Sequence, residues 1–110
     1  MPVRTARLAA GLSGPGASQK TVYTCPGGRT AILKDIRVVG RTDPAQTYTV
    51  YLVSGPTLVF LLRGSLAANA PAAAQGFVVM EPGDQLRVDT PVTDHIAYWV
   101  SGAELDGLAP

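Results

Sequence analysis

Two residues in this chain could serve nucleophilic or acid–base catalysis, a lone cysteine at Cys25 and a lone histidine at His95. A hydrolase needs an activated nucleophile beside a base, or a metal that lowers the pKa of a bound water. A Cys25–His95 dyad would require long-range folding to join the two, and each residue has a plainer reading. His95 closes the polar stretch Pro91-Val92-Thr93-Asp94-His95 and is expected to be a solvent-exposed turn residue. Cys25 stands before Pro26-Gly27-Gly28 and is expected to be a small, half-buried residue at a strand end. Asp84, Asp89 and Asp94 recur every five residues, a spacing that does not converge on one point in strands and turns, and no calcium-loop pattern is present. Asp84 follows Pro82-Gly83 and is expected to shape that turn through local backbone bonds. Pro26-Gly27-Gly28-Arg29-Thr30 lacks the G-x-x-x-x-G-K-[ST] spacing, and the strand-like run that follows it offers no helix N-terminus to hold a phosphate. No catalytic residue, cofactor site or metal site is assigned, and an enzyme is not expected.

Charge directs the chain to no obvious partner. The formal net charge is +1, and charged residues make up 15%, against the ~25% usual for globular proteins. The seven arginines are scattered; Arg29, Arg37 and Arg41 surround one segment but without interleaved aromatics, so nucleic acid is not an expected partner. The longest apolar run, Leu58 to Leu62, is far short of the ~18 residues of a membrane-spanning helix, so membrane insertion is not expected. A single cysteine excludes an intrachain disulfide. The N-terminus reads as no signal peptide, and the chain is expected to be made in a cytoplasm and used intact.

The elements that would position these residues are short strands. Turn signals come at short intervals, at Gly14-Pro15-Gly16, Pro26-Gly27-Gly28, Thr42-Asp43-Pro44, Gly55-Pro56, Asn69-Ala70-Pro71, Pro82-Gly83-Asp84 and Pro91. Nine prolines and twelve glycines leave little room for a stable helix. In Gln85 to Asp89, Leu86 and Val88 face inward and Gln85, Arg87 and Asp89 face water. From Thr47 to Val53, Tyr48, Val50 and Leu52 share one face and Thr49, Tyr51 and Val53 the other. Ile96, Tyr98 and Val100 form the apolar set of a late strand, with Trp99 opposite. Between Thr30 and Gly40 the phase breaks, because Ala31 and Leu33 share one parity and Ile36 and Val38 the other. Strict alternation forbids a straight strand from burying both pairs, so a bulge is expected near Lys34-Asp35. Leu58 to Leu62 is apolar on both parities, as in a central strand covered on both sides or a strand with one face against another subunit. Leu66 to Gln75, rich in alanine but broken by Asn69 and Pro71, is expected to be a loop or at most one helical turn.

These readings give an all-β fold: a single antiparallel β-sandwich, jelly-roll-like, of about eight short strands. One domain spans 1–110, with an N-terminal arm or first strand in 1–20 and a tail at 106–110. Tyr51, Phe60, Leu61 and Trp99 are the candidate interface residues, since alternation or two-sided apolarity directs each of them away from the core. The tyrosines Tyr23, Tyr48, Tyr51 and Tyr98, with Trp99, would bind sugars only if several lined one concave face.

The order of these marks resembles a family of small β-sandwich structural proteins of tailed bacteriophages. The likeness rests on Thr21 to Ile36, with its Pro-Gly-Gly turn between two strands, then Thr49-Val50-Tyr51-Leu52-Val53 and Ser65-Leu66-Ala67. It continues through Pro82-Gly83-Asp84 before Leu86-Arg87-Val88, and ends on Val100 to Glu104. It departs at Gly27-Gly28, where the family tends to have alanine and glycine, and at the alanine-rich Ala67 to Ala74, where the family's loop is more polar. The resemblance implies a virion protein assembled in the host cytoplasm, in the tail tip, fibre or minor tail. The alternatives are head decoration of the capsid and a carbohydrate-binding adhesion module. Its implied partners are copies of itself, other virion proteins and a host-surface glycan, and it carries no catalytic residue.

Overall fold

Alternating apolar residues and closely spaced turns divide the described residues into eight strands. The computed structural model describes residues 3–16 and 19–106. In chain order the strands are β1 (Val3–Leu12), β2 (Lys20–Thr24), β3 (Arg29–Gly40), β4 (Gln46–Ser54), β5 (Thr57–Leu66), β6 (Pro71–Met80), β7 (Gln85–Asp89) and β8 (Ile96–Asp106). β1 occupies half of the expected N-terminal arm or first strand. The expected tail at 106–110 lies, beyond Asp106, outside the described residues, as do residues 1, 2, 17 and 18.

The strands pair from the outside of the chain inward. β1 pairs with β8, β2 with β7, β3 with β6 and β4 with β5, all antiparallel. Two further ladders, β3 with β8 and β4 with β7, assemble these pairs into sheets of order β1-β8-β3-β6 and β2-β7-β4-β5. A long hairpin wrapped into two facing sheets is the jelly roll, so the fold class is as the sequence indicates. No helix among the described residues is long and apolar enough to cross a membrane.

The core lies between the sheets. One sheet contributes Ala31, Leu33, Ile36, Val38, Met80, Ile96 and Val100, and the other Tyr48, Val50, Leu52, Leu66, Leu86 and Val88. Each fully buried Leu, Ile or Val stabilises the fold by roughly 1.5–3 kcal/mol. The phase break in β3 is resolved where the sequence requires it: both ladders of β3 shift register between Leu33 and Asp35. Lys34 is the extra residue, and the bulge lets Leu33 and Ile36 both face the core.

Two segments differ from expectation. Ala72 to Ala74 is part of strand β6, paired with Val38 to Ile36, because the open edge of β3 satisfies its backbone and small side chains lie flat there. For Leu58 to Leu62 only the central-strand reading falls, because the run belongs to β5, an edge strand.

Candidate functional site

Cys25 and His95 lie at opposite ends of the sandwich. The Cys25 thiol approaches the carbonyl of Arg29, where β3 begins, at 3.4 Å. The backbone carbonyl of His95 accepts from the amide of Arg41, just past the end of β3, at 2.7 Å. A twelve-residue strand separates the two, on the order of 35–40 Å, so they form no dyad.

Each instead belongs to a polar clasp that closes one end of the sandwich. His95 is not the exposed turn residue expected from its neighbours; it is fully buried. Its Nε2 lies 2.8 Å from the carbonyl of Leu66 and its Nδ1 2.6 Å from Oγ1 of Thr42. A carbonyl only accepts, so Nε2–H donates to Leu66 and the Thr42 hydroxyl donates to Nδ1. The ring thereby ties the start of β8 to the end of β5 in the opposite sheet and to the β3–β4 loop. Nearby, Gly14 N–H donates to Asp94 and Ala68 N–H to Asp43, so these carboxylates serve loop backbones. At the other end Glu104, buried on β8, accepts from the Tyr23 hydroxyl at 2.5 Å and from Nη1 of Arg29 at 3.3 Å. Tyr23 belongs to one sheet and Glu104 to the other. Asp84 accepts from the Glu81 amide at 3.0 Å and shapes its turn as expected. Burial, foremost, pushes the Cys25 thiol up from its ordinary pKa, and the carboxylates of Asp84, Glu104 and Glu81 add to the rise while a hydrogen bond with the Ala31 backbone opposes it. No group of three or more His, Cys, Asp or Glu side chains suited to a metal gathers among the described residues.

Large aromatic side chains lie open on both sheets. Phe60 and Trp99 are exposed, at 54% and 47%, and Leu61 is half-buried against the core. Tyr51 does point away from the Tyr48–Val50–Leu52 face, but it is only 4% exposed, which corrects the expectation of an open surface residue. The Phe60 ring stands edge-on to Tyr51, with centroids 6.2 Å apart. Burial accordingly raises the Tyr51 phenol's pKa, with Asp89 adding to the rise and Arg87 opposing it. Phe60 and Trp99 lie on different sheets, so these exposed aromatics do not converge on one face.

Sequence reading missed other exposed apolar residues: Leu58 and Val59 beside Phe60, Val79 on β6, and Leu12 and Val39 near Trp99. Trp99 sits opposite Arg37 on β3 and Ala10 on β1, and Val39 opposite Ala97 and Pro71 in the adjoining row. Between the edges of β5 and β6 a shallow opening reaches the core, lined by Leu33, Ile36, Phe60, Leu61, Ala74 and Val78 among others. The signal in the sequence was the two-sided apolarity of Leu58 to Leu62; which face stays open depends on strand order.

No protein-family model matches the chain. No curated protein matches it in sequence. Solved structures do match in fold. A chain of the virus-like particle of the extra small virus of the giant freshwater prawn Macrobrachium rosenbergii is similar at a TM-score of 0.51 and 16% identity, over 99% of this chain and 80% of that one. A chain of infectious bursal disease virus, Gt strain, is similar at 0.50 and 12% identity, over 94% of this chain. A pentameric capsid protein isolated from metagenomic phage sequences aligns at 0.41 and 13% identity, over 94% of this chain and 60% of that one. The chain spans about a third of the length of the bursal disease virus chain it matches.

Proposed function

We propose that this chain is a structural protein of a virus particle, a non-enzymatic unit that assembles in repeated copies into a shell. The observation that carries this reading is the nested strand order, similar over almost the whole chain to a protein of a virus-like particle. Low surface charge and exposed apolar residues on both sheets support it, since such surface suits burial against neighbouring copies. The use of His95 and Glu104 as structural clasps supports a role without catalysis.

A place in the capsid shell, as coat or head decoration, is favoured over the tail tip, fibre or minor tail implied by the phage resemblance, because the fold likeness runs to a particle-forming protein. Residence in the virion follows from the same reading. A host-glycan partner gains nothing from the exposed aromatics, which sit on separate sheets.

Sedimentation velocity and negative-stain microscopy of the purified chain test the proposal. Closed or ring-shaped oligomers whose population grows with concentration are expected. A well-folded monomer at every concentration and ionic strength, with no affinity for any virion component, would overturn it.

A further inference from the structure

We propose that β5 is the edge along which a second copy of this chain pairs, antiparallel about a two-fold axis, so that the β2-β7-β4-β5 sheet continues into its mate. This inference rests on the assembly reading above and names the surface through which it begins.

The sandwich has four sheet edges: β1, β6, β2 and β5. An unprotected edge exposes backbone donors and acceptors that another strand can satisfy, and proteins guard such edges with charge, proline, bulges or brevity. β2 has only five residues and begins with Lys20. β1 carries Arg4 and Arg7 in its sequence and a bulge between Arg7 and Ala9. β6 begins with Pro71. β5 runs for ten residues with no proline, lysine or carboxylate. Its register break, opposite Val50 and Tyr51, falls at Leu61, which leaves the hairpin-proximal stretch Thr57 to Phe60 unguarded. Leu58, Val59 and Phe60 are all exposed there, and no ladder joins β5 to β6.

The chemistry of this stretch favours a copy of itself. From Thr57 to Leu62 the strand has no charge, so a charged peptide finds no counter-ion on it, whereas an identical strand meets it without like-charge repulsion. Its one charge, Arg63, already sits over the Phe60 ring at 4.6 Å. A two-fold axis perpendicular to the sheet pairs residues of equal parity, and an axis at Val59 sets Leu58 opposite Phe60 of the second copy. In that register Arg63 lies outside the paired stretch. Leu58, Val59 and Phe60 expose on the order of 300 Å² of side chain, an ordinary size for a monomer's largest patch. That is less than half of the ~800 Å² per partner of a standard interface, so one such contact is weak and gains its hold by repetition in a closed assembly.

The test compares the wild-type chain with Leu58→Lys and Val59→Cys, using Trp99→Cys on the other sheet as a control. Leu58 is more than half exposed, so its replacement should leave the circular-dichroism spectrum unchanged. Sedimentation should show self-association weakened roughly tenfold or more in Leu58→Lys. Under mild oxidation Val59→Cys should give a disulfide-linked dimer, since facing Cα atoms of an antiparallel pair are ~4.5–5.5 Å apart. Buried Cys25 does not compete, and Trp99→Cys should give no such dimer. If the wild type assembles while Leu58→Lys assembles equally well and Val59→Cys does not cross-link, the β5 assignment falls and the shell reading stands. If the wild type never self-associates, the β5 assignment falls, and the shell reading falls with it only where the chain also binds no virion component.

Discussion

At the residue scale, Cys25 and two glycines give the sharpest tests. Buried Cys25 should resist thiol reagents in the folded protein at pH 8 and react at once in urea, as followed by absorbance. Its pKa is raised on folding, as are those of Tyr48 and Tyr51, in each case chiefly by burial. A raised value means that the folded state favours the protonated, neutral group. That contribution is fully present below the unfolded-state values and is lost as pH climbs through the folded ones. Urea-unfolding free energy should therefore fall above about pH 9, first through the thiol and then, above about pH 10, through the phenols. Cys25→Ala should remove the earlier part of the fall. Gly27 has no atom within 4 Å of where a Cβ would sit, whereas a Cβ on Gly102 would come 2.1 Å from the Ile32 carbonyl oxygen. Gly27→Ala should stabilise the fold by about 0.5 kcal/mol through the unfolded state, whereas Gly102→Ala should cost about 2–3 kcal/mol, both read from urea midpoints. Gly28, at φ 75°, keeps its glycine.

At the element scale, the β3 bulge separates two one-residue changes. Deleting Lys34 leaves Leu33 inward, Asp35 outward and Ile36 inward, so a folded protein is expected, weakened by about 1 kcal/mol. Inserting one alanine after Ile36 turns Val38 away from the core and should abolish cooperative unfolding by circular dichroism. The bulge was legible because alternation in β3 contradicts itself at Lys34, and β7 was legible because Leu86 and Val88 alternate cleanly with polar neighbours. β6 was not: Ala72 to Ala74 carry weak strand preference, and their extended form comes from pairing with β3, a partner over thirty residues away. Trp99 was recognisable as an outward candidate by parity, and Phe60 by the two-sided apolarity of its strand. The cover that Phe60 places over Tyr51 depends on the β4–β5 register, which local pattern does not encode.

At the scale of the whole molecule, the nested pairing makes the first strand a structural partner of the last. Among the described residues β1 supplies the ladder on one side of β8 and β3 that on the other. Removing residues 1–12 should leave that edge bare and the core open beside Val100 and Ile96, giving aggregated or unfolded material by size exclusion. Strand order itself was not legible in any window of sequence, since pairs such as β1 with β8 join segments from opposite ends of the chain. The burial of His95 was hidden for the same reason, because Leu66 and Thr42 reach it from two other strands' ends. Val3 pairs with Leu105, so the backbone comes nearly full circle. A few residues of linker would join the two ends into a ring, and the ring could be reopened at exposed Gly55 to make a circular permutant whose new termini flank β5. In the unpermuted chain the ends share a pole with the β4–β5 hairpin, because Leu86 pairs with both Tyr23 and Leu52 and Tyr23 bonds Glu104 beside Leu105, so cargo fused there would crowd the edge where copies meet.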